Sequence, residues 1–140
     1  MDATHAEFSQ LLNQMLALPE AEQLPLYLTF LQHTTDHFAQ EDRWMQATGF
    51  TADNCHTEQH HMVLETMQSV VAHYQQGQTD IITRMNQALA EWFDGHAVSM
   101  DAGLAQHLKA VGFDSATETL ADPSLVRHVV VSGCGSVSCS

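Results

Sequence analysis

Apolar side chains recur every three to four residues over most of the chain, the spacing that places them on one face of an α-helix. In the first such segment, Phe8, Leu12 and Met15 share a face. Comparable patterns follow in three further segments, and no segment before residue 128 alternates with the period of a β-strand. The pattern predicts four helices, at about residues 2–18, 21–48, 54–76 and 80–112.

Turn-forming residues lie between these segments. Pro19, Gly49, Gly77 and Gly112 each follow a predicted helix and are typical stop signals. N-terminal caps are available before the third and fourth helices, from Asp53 or Asn54 and from Thr79 or Asp80. Four helices with short connections favour an all-α fold, an antiparallel up-down-up-down four-helix bundle with a non-helical C-terminal tail.

The C-terminal tail has a different character from the helices. We therefore divide the chain into a bundle domain, residues 1–112, and a C-terminal extension, residues 113–140, whose structure the sequence leaves open. Residues 128–132 have the character of a strand, which could lie over the bundle, pair with the same strand of a second chain, or stay mobile. Cys134 and Cys139 could form a disulfide, bind a metal or have no special role, and the last is the favoured interpretation.

Charge and hydropathy narrow the classes of partner. The chain has 4 Lys and Arg against 17 Asp and Glu, and so acidic a surface repels nucleic acid. It has no run of about eighteen apolar residues, so no membrane span is predicted. No signal-peptide pattern is visible at the start, and a cytoplasmic location is expected.

Histidines are the unusual feature of the composition, with 10 in 140 residues. Two pairs of possible metal ligands are four residues apart, which places both members on one helix face: His37 with Glu41, and His56 with His60. His96 and Asp101 are five apart, so they must approach a site from different angles or use a local bulge. The first helix offers a single histidine, His5.

Each pair alone is more often a solvated surface pair than a metal site. Together they provide at least one potential ligand from every predicted helix. Burying seven such groups without a metal would cost several kcal/mol, because polar and charged atoms would lack partners. The joint pattern therefore indicates a metal centre inside the bundle.

The order and spacing of these motifs resemble those of the haemerythrin family, in particular its single-domain bacterial members. The matching motifs are His5, then HFxxE from His37 to Glu41, HxxxH from His56 to His60, and HxxxxD from His96 to Asp101. Smaller features also agree, namely Asp2, Met45 and Trp92. The resemblance covers about residues 2–110 and implies an oxo- or hydroxo-bridged centre of two iron ions that binds molecular oxygen reversibly.

The resemblance also implies how the ligands are shared. His56, His60 and His96 would bind one iron, and His5 and His37 the other, with Glu41 and Asp101 bridging both. With one further bridging oxygen, two six-coordinate irons keep a single open position, on the iron that has two histidines. Phe38, Leu64 and Trp92 are candidates to line a dry oxygen pocket there, although each is more simply a core residue.

Several other functions remain open at this stage. A ferritin-like di-iron oxidase or iron-handling enzyme wants ExxH on two helices, and the chain has one, Glu58 to His61. Zinc bound by four histidines would leave the carboxylates unused, and a metal-free interaction module would leave the motif order unexplained. Within the haemerythrin resemblance, we expect oxygen storage or delivery rather than an enzyme. The alternatives are oxygen or redox sensing through the tail, with a homodimer or a protein partner as its contact, and reaction with peroxide or nitric oxide.

The remaining histidines are assigned simpler roles. His33 is four residues before His37 and forms a competing pair with it. The others are predicted to be solvated or to point away from the site: His61, His73, His107 and His128.

Overall fold

The computed structural model describes residues 2–50, 54–121 and 123–125. Its α-helices are α1 (Asp2–Leu16), α2 (Gln23–Ala47), α3 (Cys55–Gln75), α4 (Ile81–His96) and α5 (Ala102–Ala110). A π-helical turn, Ala97–Asp101, joins α4 to α5. Strands β1 (Phe113–Asp114) and β2 (Thr119–Leu120) form an antiparallel hairpin. The predicted four-helix bundle with a non-helical C-terminal segment is confirmed.

Most helix ends lie where the turn residues predicted them. The Asn54 side chain caps α3, because its Oδ1 accepts a hydrogen bond of 2.9 Å from the backbone N–H of Thr57. Gly49 and Gly77 adopt φ angles of 99° and 107°, a left-handed conformation that glycine tolerates and that ends a helix. A short 3-10 turn, Glu20–Glu22, precedes α2.

The fourth predicted helix differs from expectation because it is not one continuous α-helix. It comprises α4, the π turn and α5. In the π turn, the backbone N–H of Ala102 bonds to the carbonyl of Ala97, five residues earlier. This is the local bulge that the spacing of His96 and Asp101 allowed.

The described residues form two compact units. The first consists of those in Met1–His37 and His61–Gly95, and the second of those in Phe38–His60 and His96–Ser140. The helices α2 and α3 each contribute to both units.

Aromatic residues build the core of the first unit. The ring of Phe8 lies 4.9 Å from that of Phe30 and 4.5 Å from that of Phe93, which ties α1 to α2 and α4. At the opposite end of α1, the buried Gln23 side chain donates a 3.1 Å hydrogen bond to the carbonyl of Met15. The first residue of α2 thus meets the end of α1, and a residue farther along α2 meets one earlier in α1, so the two helices run antiparallel.

The second unit includes a hairpin that the sequence did not predict. Its strands pair Phe113 with Leu120, and the Phe113 ring lies 6.5 Å from that of Trp44 on α2. An exposed ion pair of 3.2 Å joins Arg43 to Glu118. The predicted strand at residues 128–132 and the two C-terminal cysteines lie outside the described residues, and the boundary at Gly112 stays a prediction.

Among the described residues, no helix combines the length and the apolar character needed to cross a bilayer.

We predict that Tyr27→Phe lowers the free energy of unfolding more than Tyr74→Phe does. The fully buried Tyr27 hydroxyl donates a 2.7 Å hydrogen bond to the carbonyl of Met67, and its loss costs about 1 kcal/mol. Tyr74 donates a similar bond of 2.8 Å to Glu20, but in an exposed position where water can replace it. Urea unfolding of the metal-free chain measures both. Equal losses would contradict the ranking.

Candidate metal centre

Five predicted ligands from three parts of the chain come together in the second unit. Their ligand atoms all lie within 4.8 Å of one another, and every one of the five residues is buried: Glu41, His56, His60, His96 and Asp101. Glu41 comes from α2, and His56 and His60 come from the first two turns of α3. His96 is the last residue of α4, and Asp101 is the last residue of the π turn. The four-residue spacing of His56 and His60 and the five-residue spacing of His96 and Asp101 thus serve one cluster.

The Nε2 atoms of the three histidines point at the two carboxylates. His56 Nε2 lies 2.9 Å from Asp101 Oδ1 and 3.5 Å from Glu41 Oε1. His60 Nε2 lies 3.2 Å from Glu41 Oε1, and His96 Nε2 lies 3.0 Å from Asp101 Oδ1. The contacts of His56 Nε2 and His60 Nε2 with these carboxylates lack hydrogen-bond geometry. Lone-pair donors converge here as they do around a cation.

The π turn accounts for the position of Asp101. Residues five apart lie one above the other where backbone hydrogen bonds also span five residues, so His96 and Asp101 reach the same point. A regular α-helix would direct a residue five positions on toward a different face. The turn therefore makes a five-residue motif work as a four-residue motif does in α2 and α3.

The Nδ1 atoms of two histidines face outward to acceptors that the sequence analysis missed. His60 Nδ1 lies 2.9 Å from Asp42 Oδ1, and His96 Nδ1 lies 2.9 Å from Gln59 Oε1. Asp42 follows Glu41 in sequence and Gln59 precedes His60. Because polar neighbours of this kind are common on solvated helix faces, sequence position alone did not indicate their role. A carboxylate oxygen can only accept, so His60 carries its proton on Nδ1 and leaves the Nε2 lone pair for a metal.

Phe38 holds the ring of His60 from its face. The two rings stack at 4.0 Å with an interplanar angle of 7°, and Phe38 is 3% exposed. Phe38 therefore lies beside the cluster, and its predicted role in lining an oxygen pocket stays a prediction. The other two residues predicted to line a pocket, Leu64 and Trp92, are half-buried, and their role there stays a prediction.

The two remaining predicted ligands meet in the first unit. The rings of His5 and His37 make an edge-to-face contact at 5.4 Å, and the ring of Phe93 lies 5.2 Å from that of His5. His37 is buried and His5 half-buried. On α2, His37 lies one turn before Glu41.

Burial and charge act in opposite directions on the imidazoles. Burial lowers the pKa of His56, but the nearby carboxylates of Asp101 and Glu41 outweigh it and raise the pKa to about 9. The pKa of His96 is lowered, mainly by burial, although Asp101 acts against this. One protonated imidazole therefore partly neutralises two buried carboxylates when no metal is bound.

These donors suit a metal ion with a preference for nitrogen and oxygen. Glu41 and Asp101 are 0% and 2% exposed, and two carboxylates at such burial need compensating positive charge. Imidazole and carboxylate ligands together fit iron and other first-row metals, whereas an iron–sulfur cluster would need cysteine ligands. The residues therefore fit a metal centre.

Comparison with known proteins points to the same chemistry. The chain is 34% identical over 120 residues to a protein named Bacteriohemerythrin from Ralstonia nicotianae (strain ATCC BAA-1114 / GMI1000), a match that covers 86% of this chain and 88% of that protein. The chain belongs to the haemerythrin family. No family model matches it, and no solved structure does. Family membership makes iron the metal expected in the cluster.

The ferritin-like alternative loses its one motif in the structure. Glu58 and His61, the single ExxH pair, are exposed on α3 rather than directed into the cluster. His33, the predicted competitor of His37, lies 3.0 Å from Glu7 instead of joining the buried donors. Neither pair competes with the haemerythrin-type ligands.

One histidine was assigned wrongly. His107 was predicted to be solvated, but it is half-buried, its Nε2 lies 2.8 Å from the carbonyl of Thr48, and its ring lies 5.1 Å from that of Phe50. It joins α5 to the end of α2, where a carbonyl lacks a helical partner. His73 is exposed as predicted, and His128 lies outside the described residues.

We predict that metal binding to the metal-free chain tightens as pH rises toward 9. Below that pH His56 carries a proton that a metal must displace, since its pKa is about 9. This group alone should add about tenfold in affinity per pH unit between roughly pH 7 and pH 9, and nothing above. His96, with its lowered pKa, adds little in that range. Competition of Co(II) with a chelating dye measures this, and a flat profile would refute it.

Proposed function

We propose that the chain binds molecular oxygen reversibly at a non-haem di-iron centre. The observation that carries this proposal is the buried five-residue cluster, in which three imidazole Nε2 atoms face two carboxylates. Membership of the haemerythrin family supports the same function. The proposed ligands are the seven predicted from the sequence: His5, His37, Glu41, His56, His60, His96 and Asp101.

The ligands would divide between two irons. His56, His60 and His96 would hold one iron, and His5 and His37 the other, with Glu41 and Asp101 bridging. Two observations support the ligands of the second iron. The rings of His5 and His37 are in contact, and His37 lies one turn before Glu41 along α2. When bound, two ferrous ions supply together the two electrons that an oxygen molecule accepts and returns.

Aromatic side chains would keep water from the bound gas. Phe93 lies against His5 and stacks on Phe8 at 4.5 Å. Such apolar walls slow the delivery of protons, and slow protonation favours release of oxygen over its reduction. Reversible binding, rather than enzymatic turnover, is the outcome that these residues support.

The physiological role that we propose is oxygen storage or delivery in the cytoplasm. A sensor would transmit the state of the site to a partner or a second copy through the C-terminal tail, most of which lies outside the described residues. The relative named Bacteriohemerythrin supports an oxygen-related role without distinguishing these two.

Iron content and the optical spectrum test the proposal. We expect two irons per chain and a near-ultraviolet oxo-bridge absorption that appears when oxygen is added to the reduced protein and reverses when oxygen is removed. His96→Ala and His5→Ala should each lose iron and the oxygen response. His61→Ala removes an exposed histidine and is the matched control, expected to behave as the unaltered chain.

Three outcomes would count against the proposal. One zinc per chain would indicate a mononuclear site. Iron that accumulates with catalytic ferrous oxidation would indicate a ferritin-like enzyme. Equal iron content in His61→Ala and His5→Ala would remove His5 from the ligand set.

A further inference from the structure

Two imidazoles of the cluster are held from behind by acceptors of different charge. His60 Nδ1 meets the carboxylate of Asp42, whereas His96 Nδ1 meets the amide oxygen of Gln59, each at 2.9 Å. Both imidazoles present Nε2 to the same group of ligand atoms. The two imidazoles therefore differ in the charge of the acceptor that their Nδ1 atoms contact.

The charged acceptor is itself fixed in place. Asp42 Oδ1 also accepts a 3.2 Å hydrogen bond from the hydroxyl of Thr57, whose backbone N–H is bound by the capping residue Asn54. The Asp42 side chain is 22% exposed, so water screens its charge only in part. With Phe38 stacked on the ring, His60 is restrained on one face and one edge.

We propose that Asp42 and Gln59 are positioning residues that give His60 and His96 unequal donor strength toward one metal ion, an inference that rests on the proposed metal centre. A carboxylate behind an imidazole fixes its tautomer and makes Nε2 a stronger donor, while a neutral amide fixes the tautomer with little added charge. The anionic partner favours the more highly charged state of the metal. Asp42 thus lowers the reduction potential of the ion, and the neutral Gln59 limits that effect.

Two isosteric substitutions separate charge from structure. Asp42→Asn keeps an oxygen acceptor behind His60 but removes the charge, and Gln59→Glu keeps the acceptor behind His96 and adds a charge. If donor strength is what these residues control, the two substitutions act in opposite directions. If they only hold the helices together, both substitutions weaken the site.

The test uses Co(II) as the probe metal on the full chain. Asp42→Asn should weaken Co(II) binding by about tenfold and Gln59→Glu should tighten it by about tenfold. In the iron-loaded protein, the midpoint potential should rise in the first variant and fall in the second, by roughly 60 mV for a tenfold change in a one-electron equilibrium. Glu65→Gln, which removes one negative charge from an exposed part of α3 as Asp42→Asn does beside His60, is the control and should match the unaltered chain.

The inference is overturned if both variants weaken Co(II) binding, or if neither differs from Glu65→Gln. Its failure can be told from failure of the proposed function. Opposite Co(II) shifts in a chain that does not take up two irons would refute the di-iron centre and support the positioning role. Normal iron content and a normal oxygen response, without opposite Co(II) shifts, would support the di-iron centre and refute the positioning role.

Discussion

The burial of two carboxylates opposite three imidazoles is the constraint on which the site depends. Glu41 and Asp101 are almost fully removed from water. Burial lowers the pKa of His56, but the negative charges of these two carboxylates outweigh it and raise the pKa to about 9. One protonated imidazole cannot neutralise two such anions. A bound cation would resolve the imbalance, and an acidic chain with few basic residues could in this way place carboxylates in its interior.

The ligands depend on local features of the helices that present them. Asn54 caps α3 one residue before the helix begins, so that His56 lies in its first turn. The π turn costs regular helical hydrogen bonding between α4 and α5, yet it is what turns Asp101 toward His96. Backbone irregularity is concentrated where a ligand must be aimed, whereas α2 carries Glu41 on an unbroken helix.

Sequence reasoning could anticipate those features that follow from periodicity. The pairs His37–Glu41 and His56–His60 lie one turn apart on any α-helix, and the five-residue step to Asp101 left a local bulge as one of two possibilities. The roles of Asp42, Gln59 and His107 depend on which residues face them from other elements, and spacing along one helix carries no such information. The hairpin at Phe113 was missed because strands of two residues are too short to show alternation.

The cluster also links metal binding to folding. Its donors come from α2, α3 and the π turn, which are distant in sequence, so a metal held by all of them closes large loops of the unfolded chain. A metal that binds the folded form alone stabilises it in proportion to the logarithm of its concentration over the dissociation constant. The same donors that bury unfavourable charge in the metal-free chain would therefore cross-link the folded chain once a metal is bound, and the metal-free chain would be less stable than the metal-bound one.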